Sequence, residues 1–159
     1  MDQESAPIVS VVPTITAHAA KMLLDHAEGI AIKMGISGFA VVYSRTGMQE
    51  GSLAIGEGGT PLNVSIALDK IKTVLATRRS TSAQQKRMVS EGRDRADYAG
   101  QIGSLFGGGV ALFHNDQFVG AMAFSGGTPD QDQELCVRAA LAAGLQTDIG
   151  EESEAWGVG

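Results

Sequence analysis

Residues 107–145 read GGGVALFHNDQFVGAMAFSGGTPDQDQELCVRAALAAGL, and the order of signals in that stretch decides the fold. Val110 to His114 and Phe118 to Phe124 are two apolar, strand-like runs. Between them lies Asn115-Asp116, a pair that tolerates the positive φ a two-residue hairpin turn requires. Gly126-Gly127-Thr128-Pro129 then ends the second run and opens a helix predicted from Pro129 to about Leu145. Thr is a good N-cap, Pro suits the first helical position, and Gln131 at N3 completes a capping box with Thr128.

The same grammar occurs once more upstream. Gly58-Gly59-Thr60-Pro61 precedes a segment, Leu62 to Thr77, with Val64, Leu68, Ile71 and Leu75 on one stripe and Ala67 and Val74 widening it. Before it, Phe39 to Tyr43 and Ser52 to Ile55 flank the turn residues Arg45-Thr46-Gly47 and read as a hairpin. Thr14 to Met34 carries Ala20, Leu23, Leu24, Ala27, Ala31 and Met34 at helical spacing, stopped by Gly35. Ser80 to Arg95 is helix-compatible but polar, and is expected on the surface. The order α, hairpin, α, α, hairpin, α does not alternate single strands with helices, so it predicts an antiparallel sheet flanked by helices, an α+β fold. Val41, Leu68, Ile71, Leu75, Val110, Leu112 and Met122 are the expected core. Residues 1–13 form an N-terminal extension, 14–146 the domain, and 147–159 an acidic tail with a lone Trp156, expected to be mobile or to dock on a neighbouring subunit.

Composition excludes several classes. A net charge of −6 argues against a nucleic-acid backbone as partner. The basic run Arg78, Arg79, Lys86, Arg87, Arg93 and Arg95 reads as a solvated helical face. Cys136 is the only cysteine, so no intrachain disulfide or Cys-rich metal site can be written. No run approaches a membrane span, and the first residues lack the charge and length of a signal peptide, so a cytoplasmic protein is expected. No Gly-x-Gly-x-x-Gly or Walker loop stands between a strand and a helix.

Candidate chemistry gathers at the glycine loops. The two Gly-Gly-Thr-Pro sequences are either helix starts alone or anion sites, since helix N-termini present unpaired N–H groups. Gly107, Gly108 and Gly109 add a third loop where backbone is accessible. Lys70, at the border of its apolar stripe, either snorkels or points into a pocket, with Thr73 beside it and Arg78 and Arg79 as secondary anion partners. The three histidines are His18, His26 and His114. His18 and His26 project roughly 80° apart on one helix and make no i, i+4 metal pair. Ser125 has no base in evidence, so no catalytic constellation can be placed. An enzyme built on these residues would be a cofactor-poor lyase or isomerase of a small organic or aromatic acid.

Residues 119–132, VGAMAFSGGTPDQD, resemble the signature of the HbpS/GlcG-like family, typically V-G-A-I-G-V-S-G-G-T-P-E-Q-D. Ser65 to Val74 is similar to the family's S-I-x-x-A-x-x-K-A-x-T-A helix, with Lys70 and Thr73 at matching positions, and Gly107-Gly108-Gly109-Val110 resembles its G-G-V loop. The resemblance runs from about Ile15 to Ala143. It implies a profilin-like antiparallel sheet with helices on both faces, homo-oligomers that are commonly octamers, and haem or another acid-bearing small molecule as ligand. On that implication His18, His26 and His114 are the possible haem ligands, with Tyr43 and Tyr98 weaker ones, and an enzymatic member would be haem-degrading. Two stretches depart from it: Ser44-Arg45-Thr46-Gly47 stands where the family has an Asp-x-x-Gly turn, and Gly92 to Leu105 is atypical. Together these readings place a ligand among Lys70, Thr73, Gly107, Gly108, Gly109, Ser125, Gly126, Gly127 and Thr128.

Overall fold

The computed structural model describes residues 6–150. Helix α1 (Ala17–Met34) starts where the Thr16 side chain accepts from the Ala19 N–H and ends at Gly35 in the left-handed conformation. Strands β1 (Gly38–Ser44) and β2 (Gln49–Ile55) form the first hairpin. Helix α2 (Pro61–Thr77) opens on Thr60, whose side chain accepts from the Asn63 N–H. Helix α3 (Thr81–Glu91) follows, then a single 3-10 turn, Arg95–Tyr98. Strands β3 (Gly109–His114) and β4 (Gln117–Ser125) make the second hairpin, with Asn115 and Asp116 both at positive φ as the turn requires. Helix α4 (Pro129–Ala142) carries the reciprocal Thr128/Gln131 capping box, and β5 (Gln146–Thr147) closes the described chain.

Among the described residues five strands lie in the order β2-β1-β4-β3-β5, and every pairing between them is antiparallel. The fold is therefore the α+β arrangement expected from the hairpins. Alternation along the strands splits the core into two layers. Ala40, Val42, Val110, Leu112, Met122 and Phe124 face α1 and α4, while Val41, Ala111, Ala121 and Ala123 face α2. Helices thus cover both faces of the sheet. Small residues under α2 let that helix approach the strands closely.

Three expectations need correction. Leu68 was expected in the core and is 37% exposed, and Leu75 is only half-buried. The buried face of α2 is centred on Ala67, Lys70, Ile71, Thr73 and Val74, so two polar side chains take positions expected of leucines. The segment after Ser80 is not wholly superficial, since Thr81, Gln84 and Met88 are buried. The last helix stops at Ala142, and Gln146 and Thr147 pair with β3 as an edge strand, where helix end and tail were expected. The acidic tail beyond Gly150, including Trp156, lies outside the described residues.

Candidate functional site

Lys70 is 2% exposed. Its Nζ donates to the Phe124 carbonyl at 2.9 Å and to Asp132 Oδ2 at 3.0 Å. The other carboxylate oxygen of Asp132 accepts from the Gly127 N–H at 2.8 Å. Lysine and aspartate thus satisfy one another, and the second Gly-Gly-Thr-Pro loop is fastened to the pair. Burial holds the Asp132 carboxyl above its ordinary range, outweighing the opposing pull of Lys70 and of the Gly127 and Gly126 N–H groups. Cys136 lies close by, and burial pushes its thiol far up, which makes it an inert apolar filler.

The Gly107–Gly109 loop lies against this pair. A Cβ on Gly108 would stand 2.6 Å from Lys70 Nζ, and φ there is +117°, so glycine is required. Thr73 anchors the loop's other end: Oγ1 donates to the Ser104 carbonyl at 2.8 Å and accepts from the Gly103 N–H at 2.9 Å. The nine residues expected around a ligand therefore do gather in one region. Within it, the Lys70 ammonium and the Thr73 hydroxyl each make two hydrogen bonds to protein groups.

Immediately outside that region, α2, α3 and residues 104–107 enclose a cleft of about 750 Å³. Ile66, Leu105 and Phe106 supply apolar walls, and Asp69, Lys86 and Arg95 supply charge. Phe106 is 71% exposed, a large aromatic surface presented to whatever enters. The volume falls in the roughly 300–1,000 Å³ range typical of small-molecule sites. Of the residues expected to bind ligand, Gly107 lines the cleft. Arg78 and Arg79 do not; they stand beyond the C-terminal end of α2.

The three histidines stand elsewhere. His18 and His26 ride on α1, across the sheet from α2, and His114 is exposed at the end of β3. None lines the cleft, and neither does Tyr43 or Tyr98. Among the described residues no group of three or more His, Cys, Asp or Glu is placed to hold a metal ion. No helix among them is long and apolar enough to cross a membrane.

Sequence reasoning missed Asp132, Ile66, Asp69, Leu105 and Phe106. The usable signal was Leu105-Phe106, two large apolar residues next to a glycine run in a chain with only 5% aromatics.

Comparison with known proteins places this architecture. Protein ORFY of Klebsiella pneumoniae is similar with a TM-score of 0.77 at 25% identity, over 87% of this chain and 97% of that one. PduOC, solved as a heme complex, gives 0.73 at 20% identity, over 84% and 98% of the two chains. An HbpS double mutant of Streptomyces reticuli gives 0.72 at 21%, over 86% and 96%. No curated protein matches the sequence. The family described as haem degrading protein HbpS-like matches residues 15–142. Given that span, the chain belongs to the HbpS-like family.

Proposed function

We propose that this protein binds a haem-like small molecule in the α2–α3 cleft, holding it by the face of its ring and by its carboxylates. The carrying observation is the cleft itself: apolar Ile66, Leu105 and Phe106 beside cationic Lys86 and Arg95 match a flat apolar body with an anionic edge. The family description and the heme-bound relative point to the same ligand class. Haem fits this lining by size and charge but not by iron ligation, because among the described residues no His, Cys, Met or Tyr lines the cleft. Recognition of haem here rests on its periphery.

In this reading Lys70 and Thr73 serve the site indirectly. Lys70 fixes the ends of β4 and α4 against α2, and Thr73 fixes residues 103–104, from which Leu105 and Phe106 project. The alternative, a lyase or isomerase working through Lys70, draws no support from an ammonium already held by a carboxylate and a carbonyl. The test is haemin titration of the folded protein with Phe106→Ala and Arg95→Gln. Loss of the ring contact is worth about 1 kcal/mol or more and weakens binding about fivefold or more. Loss of the guanidinium weakens it about threefold or more. Unchanged affinity in both variants contradicts the assignment.

Self-association is part of the same proposal. Strand β2 is a sheet edge, and Ile8, Val9 and Val11 are exposed apolar residues on the N-terminal segment, a surface suited to a second copy.

A further inference from the structure

The basic run has a second feature that the cleft does not use. Beyond the C-terminal end of α2, a pocket of about 320 Å³ is bounded by Arg79, Arg87, Arg93 and Tyr98, and it shares no lining residue with the cleft. Glu91 serves two of these arginines: its Oε1 takes Arg87 Nε at 3.0 Å, and its Oε2 lies 3.6 Å from Arg93 Nε. Gly92, at φ +67°, turns the chain so that Arg93 comes back to the carboxylate that Arg87 reaches from the helix. Arg79 has no carboxylate partner among the described residues. Its Nη1 reaches only the Thr77 carbonyl at 3.4 Å and the Gln84 amide oxygen at 3.5 Å, both long. Three guanidinium charges against one carboxylate leave +2 around this pocket, on a chain whose net charge is −6.

We propose that this pocket binds the phosphate group of a small phosphate monoester. A guanidinium is a planar fork built for oxyanions, and three forks suit the three terminal oxygens of a phosphate better than the two of a carboxylate. Glu91 holds Arg87 and Arg93 together before a ligand arrives, which reduces the ordering cost of binding. The volume leaves space beside the phosphate for a small organic body, and the Tyr98 phenol gives that body a polar neighbour. A nucleic-acid strand is a poor occupant, because the cations form one pocket and not a track along an otherwise acidic protein.

Calorimetry on the full chain tests this, with inorganic phosphate, glycerol 3-phosphate and citrate as probes at constant ionic strength. Both phosphates bind saturably, one per chain, and glycerol 3-phosphate binds at least as tightly as inorganic phosphate. Arg79→Gln and Arg93→Gln each weaken both by about tenfold or more, the loss of one charge-assisted contact, while Lys21→Gln on α1 leaves them unchanged. The Arg93 side chain is 58% exposed, so Arg93→Gln keeps the fold and decides the matter if Arg79→Gln does not fold. Three results overturn the proposal: no saturable phosphate binding, wild-type affinity in Arg93→Gln, or citrate binding as tightly as phosphate.

Discussion

Lys70 and Asp132, 62 residues apart in sequence, meet Nζ to Oδ2 at 3.0 Å in the interior, where they join helices from opposite faces of the sheet. Lys70 leaves α2, passes the carbonyl at the end of β4 and reaches the first turn of α4. The two helical layers are therefore fastened to each other around the end of a strand and not only through it. The same pair secures the Gly127 N–H and lies against Gly108, so it shapes both glycine loops.

Breaking one half of this pair leaves the other half buried without its counter-charge. Lys70→Met and Asp132→Asn should each lower stability by about 3–5 kcal/mol, and the double variant should cost clearly less than their sum. Urea unfolding of the four proteins measures it. Single costs below about 1 kcal/mol would mean that the pair is not the fastening described. In sequence Lys70 stands at the border of its apolar stripe, yet at 2% exposure it is part of the interior, which is why its loss is costly.

The pH dependence of stability carries the sign of the Asp132 shift. Burial raises its carboxyl above the ordinary 3.8, so the native state holds this proton where the unfolded chain has lost it. Its contribution is complete below 3.8 and is lost as pH rises through the higher native value. The stability difference between wild type and Asp132→Asn should therefore fall as pH rises from about 4, and fall further in a Lys70→Met background, where the opposing ammonium is gone. A difference that grows with pH would mean a depressed carboxyl instead.

Thr73→Val removes a hydroxyl that both donates to Ser104 and accepts from Gly103 while keeping the shape of the side chain. The buried Gly103 N–H and the half-buried Ser104 carbonyl lose their partner, at about 1–3 kcal/mol. Because the loop that loosens carries Leu105 and Phe106, haemin affinity should fall severalfold in protein that remains folded. Circular dichroism and haemin titration on one sample check both halves, and intact affinity would detach the loop from the site.

Self-association should give a sedimentation coefficient above that of a 16.5 kDa monomer at micromolar concentration. Ile8→Asp and Val11→Asp, at positions exposed in the single chain, should shift it toward monomer if this segment is the interface. A monomer in the wild type would contradict the proposal.

How much of this could be read from sequence follows from how local each cause is. The Asn115-Asp116 turn and the Thr128/Gln131 capping box act within a few residues, so the second hairpin and the start of α4 were legible. Lys70 and Thr73 were legible as a pair of interest, but their burial was not, because Asp132 and the Ser104 carbonyl reach them only through the fold. Leu68 and Leu75 scored as core because apolar periodicity is blind to a polar pair satisfied at long range. The two-residue strand β5 leaves no periodicity to detect. The cleft was the least legible element, since its walls come from α2, α3 and a loop after the 3-10 turn, and it exists only once they pack.

The central claim, recognition of a tetrapyrrole through its periphery in the α2–α3 cleft, is tested most directly by titrating the protein in parallel with haemin and with metal-free protoporphyrin IX. The account predicts that both saturate at one per cleft with affinities within about threefold of each other, and that Phe106→Ala weakens both alike. Tight binding of haemin with no saturable binding of protoporphyrin IX would contradict it, because the iron and a ligand from outside the cleft would then be the anchor.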